Sequence, residues 1–132
     1  MSTAILVDVD GTLVGPYSQG RRELRTSAPR ALQMLSQVAP VFLWSIVGPE
    51  NGARLLEEFP ELRPYVLGCY GKGDFPLAVV DRPYAIDDES VDDRVILCRH
   101  YILDSSYCGG VEADDLLRVT YEVVAEIRRT SP

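Results

Sequence analysis

Apolar residues fall along this chain in two rhythms. Unbroken runs over Ala4 to Val7, Val41 to Trp44, Tyr65 to Tyr70, Pro83 to Ile86 and Arg94 to Cys98 have the length and branching of buried strands. Between and after them the spacing changes to helical. Ala28, Ala31, Leu32, Leu35 and Val38 predict an amphipathic helix over 28–38, with Ser27 as its N-cap, Pro29 tolerated in the first turn and Pro40 as its stop. Ala53, Leu55, Leu56 and Phe59 predict a second helix over about 50–58. Leu116, Leu117, Val119, Val123, Val124 and Ile127 predict a third over about 114–129, opening on acids and closing on Arg128 and Arg129 as the helix dipole favours. The segment 74–80 reads equally as a short helix or an extended connection.

The predicted strands end in polar residues. The first closes on Asp8-Val9-Asp10-Gly11-Thr12, the second on Ser45, and the fourth on Asp87-Asp88, with Glu89 and Asp92 beyond; the third is followed by Gly71-Lys72-Gly73. Carboxylates at the end of a buried strand are costly to keep charged without a partner, and a hard cation is the natural one. In an open α/β sheet the C-terminal strand ends are also where ligands collect. Taken singly, each signal has a plain explanation. Asp10-Gly11 suits an acidic turn, Ser45 a strand cap, Lys72 a surface position and the acids after Ile86 a helix start. Their order and spacing make the argument.

Asp8-Val9-Asp10-Gly11-Thr12-Leu13 resembles the first motif of the haloacid dehalogenase (HAD) superfamily, most of whose members are magnesium-dependent phosphohydrolases. Ser45, Lys72 and Asp87/Asp88 follow in the places of its second, third and fourth motifs, so the resemblance spans most of the chain. It implies one HAD-like domain over 1–132 with a three-layer α/β/α Rossmann-like fold and a mostly parallel sheet of about five strands. It also implies a phosphomonoesterase working through an aspartyl-phosphate, with Asp8 as nucleophile, Asp10 as acid/base and Lys72 neutralising charge. Ser45, Lys72, Gly11 and Thr12 would bind the phosphorylated substrate. Mg²⁺ would be held by Asp8, Asp10 (through its backbone carbonyl) and Asp87, with Asp88 acting through water or the lysine. The equivalent of 15–25 is a hairpin flap from which Tyr17, Arg21, Arg22 and Arg25 would reach a phosphate; for any one arginine, a solvated loop is the simpler expectation.

Intervals of 35 residues from Asp10 to Ser45, 27 to Lys72 and 15 to Asp87 leave no room for a cap domain. Capless (C0-type) members act on large substrates or cover the site by homo-oligomerising, and a small phosphorylated metabolite is also compatible. Two other readings use the same residues. A phospho-receiver module also has acids and a lysine, but its phosphorylated carboxylate belongs at the third strand end, where Leu67-Gly68-Cys69 stands. A regulatory or binding HAD-fold protein would retain the fold with little turnover.

Bulk properties narrow the field. The chain has 132 residues, 46% hydrophobic and 25% charged, as an ordinary globular protein does. Net charge is −7, which argues against broad nucleic-acid binding. A bound cation would still let an anionic substrate approach, because it reverses the local field. Of 13 basic residues only Lys72 is a lysine. No run reaches the roughly 20 apolar residues needed to cross a bilayer, and Met1-Ser2-Thr3 leads into the first strand without signal-peptide features. Cys69, Cys98 and Cys108 lack metal-site spacing and predict reduced thiols in the cytoplasm; with His100 the last two make a poor zinc set.

Overall fold

The computed structural model describes residues 2–88, 98–103, 107, 109 and 115–130. Five strands form one parallel sheet: β1 (Thr3–Asp8), β4 (Val41–Ser45), β5 (Gly68–Gly71), β6 (Arg82–Asp87) and β7 (Arg99–Ile102), in the spatial order β5-β4-β1-β6-β7. A second, two-stranded antiparallel sheet is the hairpin of β2 (Val14–Ser18) and β3 (Arg21–Leu24). The described residues also form three α-helices: α1 (Ala28–Ser36), α2 (Pro49–Glu58) and α3 (Asp115–Thr130). The chain is α/β with a parallel five-stranded sheet, consistent with the expected Rossmann-like layering.

Alternation along β1 divides the core. Ile5 and Val7 join Leu43 and Ile86 against Leu32 and Leu35 of α1, Leu55 of α2 and Val119, Val123 and Ile127 of α3. Ala4 and Leu6 face the other way, with Trp44, Ala85 and Phe75. That second face is covered, among the described residues, by the connection after β5. Residues 74–80 settle there as an extended segment with one 3₁₀ turn, Leu77–Val79, whose Leu77 and Val80 pack beside Phe75.

Several boundaries differ from expectation for local reasons. Pro60 and Pro64 lie within a 3₁₀ helix, Pro60–Tyr65, so the third sheet strand is delayed to Gly68. Ser27 occupies the N-cap position but adopts a helical φ/ψ of −83°/−4°, and its side chain makes no capping bond. Its hydroxyl is buried without a hydrogen-bond partner among the described residues, while its carbonyl accepts from Ala31. The strand expected over 94–98 lies outside the described residues except for Cys98, which precedes β7. Glu89, Asp92, Cys108 and the His100 side chain also lie outside them. No helix among the described residues is long and apolar enough to cross a membrane.

Candidate functional site

Register brings the polar strand ends together. Val7 pairs with Ile86, so Asp8 and Asp87 are the next residues of neighbouring strands and point to the same face as Leu6 and Ala85. Asp8 also pairs with Trp44, and Ser45 with Gly71, which puts Lys72 directly after the last strand position. The order of the sheet strands reverses between β1 and β6, and the crevice at such a reversal is where open α/β sheets bind ligands.

On the Leu6 face, Lys72 Nζ lies 2.6 Å from Asp87 Oδ2 and 3.3 Å from Asp8 Oδ1. The Thr12 hydroxyl donates to Asp8 Oδ2 at 3.1 Å. The lysine therefore pairs with both Asp8 and Asp87. One oxygen from each of Asp8, Asp87 and Asp88 lies within 4.8 Å of the other two. Three carboxylates against one ammonium leave excess negative charge, and an all-oxygen donor set of this kind suits a hard divalent cation. Electrostatics express the same excess. Burial, then the Asp87 charge, holds the Asp8 pKa well above its ordinary value, and Lys72 only partly opposes them. For Lys72 burial works to lower the pKa, but the Asp8 and Asp87 charges outweigh it and the net shift is upward.

On the opposite face stands a second group of residues, which the sequence reading missed in part. Asn51, on the first turn of α2 and 6% exposed, donates from Nδ2 to Asp10 Oδ2 at 2.7 Å and to Ser45 Oγ at 3.0 Å. Its Oδ1 accepts from Arg22 Nη1 at 2.7 Å. Arg22 also lies 3.5 Å from Asp10 Oδ1 and donates through Nε and Nη2 to Glu58. Ser45 Oγ accepts the Val47 N–H at 3.3 Å, and the Ser45 carbonyl accepts both the Gly48 and Lys72 N–H groups. Asp10 is thus gathered beside Ser45, apart from the Asp8, Asp87 and Asp88 carboxylates.

Two of the three hairpin arginines, Arg22 and Arg25, are buried rather than solvated. Arg22 is 4% exposed, and Arg25 is 1% exposed with its guanidinium bonded to the Thr12 and Gly11 carbonyls. Burial of two cations was invisible locally because their acceptors lie in other elements. Arg21 and Tyr17 are exposed. Gly11 adopts φ +78°, and its N–H closes the loop onto Val14; the Thr12 N–H bonds to Val9. The polar groups of this pair thus shape the loop and orient Asp8. No family model matches the chain, and no curated protein matches it in sequence.

Proposed function

We propose that the chain is a magnesium-dependent phosphomonoesterase that works through an aspartyl-phosphate on Asp8. The observation that carries this reading is the convergence of Asp8, Lys72 and Asp87 at neighbouring ends of a parallel sheet, at its switch point, with Ser45 ending the adjacent strand. The resemblance of the same residues to the HAD motifs supports it independently of packing.

In this reading an Asp8 oxygen attacks phosphorus, and the bond to the ester oxygen breaks as Asp10 gives that oxygen its proton. Water then attacks the phosphoryl group, Asp10 takes the water proton, and the acyl-phosphate bond breaks to release phosphate and free Asp8. Thr12 and Lys72 orient Asp8, while Lys72 and Ser45 receive the phosphoryl oxygens. Asn51 and Arg22 keep the Asp10 carboxylate on the Ser45 side. The Asp8, Asp87 and Asp88 carboxylates with the Asp10 carbonyl fit Mg²⁺, which when bound offsets the charge that would otherwise keep an anionic nucleophile from an anionic ester.

A receiver-like module fits less well. Numbered in chain order, the sheet strands run 3-2-1-4-5 rather than the 2-1-3-4-5 of flavodoxin-like folds. The third of them ends in Gly71, without a carboxylate to phosphorylate. The deciding experiment is turnover of an aryl phosphate with Mg²⁺, expected to disappear with EDTA and in Asp8→Asn. A metal-replete preparation inert toward a broad phosphoester panel overturns the reading, and partner binding indifferent to Asp8→Ala would favour a regulatory role instead.

A further inference from the structure

A cavity of about 980 Å³ opens between the β2–β3 hairpin and α2. Its size falls in the range of small-molecule sites, roughly 300–1,000 Å³. Tyr17, Leu24 and Phe59 contribute apolar surface, and Arg21, Arg22 and Arg54 contribute charge. Glu23 and Glu58 also line it: Glu58 accepts twice from Arg22, while Glu23 accepts the Tyr107 hydroxyl at 2.8 Å and keeps its charge. Two of the arginines stand outside these bonds. Arg21 has no side-chain partner among the described residues. Arg54 donates only to the Tyr17 hydroxyl, at 3.3 Å, with no carboxylate in ion-pair range. In a chain of net charge −7, a cavity lined by three arginines and two glutamates, with Arg21 and Arg54 outside any ion pair among the described residues, is locally positive.

We propose that this cavity binds a small organic anion, whose phosphate or carboxylate pairs with Arg21 and Arg54 and whose ring lies on Tyr17, Leu24 and Phe59. Guanidinium forks suit such oxyanions in bidentate geometry. Arg22 forms one wall and reaches Asp10 and Asn51 with the other side of its guanidinium, so an occupant sits one side chain away from the candidate acid/base. The anion is either the far end of the substrate or a separate effector; that distinction alone rests on the phosphatase reading.

Binding is tested first without any reaction. 1-Naphthoate and 1-naphthylphosphonate, neither hydrolysable, are titrated into the ¹⁵N-labelled full chain with and without Mg²⁺. Saturable amide shifts in 17–24 and 54–59 are expected, weakening with salt and losing roughly tenfold in affinity in Arg21→Gln/Arg54→Gln. An Arg54→Glu variant should lose binding outright. Absence of saturable shifts there, or equal affinity in the double variant, overturns the proposal. Competitive inhibition of aryl phosphate turnover by 1-naphthoate assigns the cavity to the substrate, and a change in kcat without competition assigns it to an effector. If no phosphoester is turned over, the phosphatase reading fails while the titration still decides the cavity.

Discussion

Asp8 is gripped differently at its two oxygens, by a hydroxyl on one and an ammonium on the other. Its raised pKa has a stability consequence whose sign follows from proton linkage. The folded state holds the Asp8 proton more tightly than the unfolded chain does. The resulting stabilisation is complete below the ordinary carboxylate pKa and is lost as pH rises through the folded value. Metal-free protein in EDTA should therefore lose melting temperature as pH rises above the ordinary carboxylate range, and Asp8→Asn should flatten that decline. A pH-independent melting temperature in the wild type would refute this. Lys72 follows the same sign in a higher pH range: its pKa is raised too, so its favourable contribution persists through neutral pH and disappears only in alkali. At Asn51, a single amide serves the Asp10 carboxylate and the Ser45 hydroxyl. Asn51→Ala should cost about 1–3 kcal/mol in urea melts, as buried partners go unsatisfied. It should also lower kcat on aryl phosphates more for poor leaving groups than for good ones, because a misplaced acid matters most where the leaving oxygen needs a proton. A uniform loss across leaving groups would assign Asn51 to structure alone.

At the scale of elements, α2 holds both the site and the hairpin. Gly52 lets it approach the sheet: a Cβ there would meet Cys69 Sγ at 3.0 Å and Leu43 Cβ at 3.2 Å. Helix propensity alone would make Gly52→Ala stabilising by about 1 kcal/mol; packing predicts a net destabilisation of about 1–2 kcal/mol instead, read from the urea midpoint. The hairpin is tied to α2 by Arg22 through Glu58 and Asn51. Which of these features could be seen in the sequence depends on range. Asp8, Ser45 and Asp87 end apolar strands, so a local change from apolar to polar marks each of them. Asn51, Arg22 and Glu58 acquire their roles only by packing between elements 29 to 36 positions apart, and Arg25 by bonds to carbonyls 13 and 14 positions back, so no local pattern distinguishes them from surface residues. The start of β5 was obscured because Tyr65-Val66-Leu67 has the composition of a strand, while Pro60 and Pro64 turn its beginning into a 3₁₀ helix.

Across the whole molecule, charge is the organising quantity: a net −7 with three carboxylates converging around one lysine. A cation that binds only the folded chain stabilises it by mass action. Millimolar Mg²⁺ at neutral pH is accordingly expected to raise the melting temperature by about 3 °C or more, and Asp87→Asn should abolish most of that rise. No shift up to high Mg²⁺ would remove the metal from the proposal. Tyr107 carries a different consequence. Its N–H bonds to the Gly11 carbonyl, its hydroxyl to Glu23, and its ring lies 5.0 Å beneath the Arg25 guanidinium. Every residue proposed for the chemistry has been synthesised by Asp88, yet the loop that aims Asp8 is clasped by a residue nearly twenty positions later, and β6 acquires its outer neighbour β7 only at Arg99–Ile102. A nascent chain therefore carries the full set of reacting groups before it can hold them in place. Fragment 1–88 should be inert, and activity should switch on late in synthesis rather than accumulate with length.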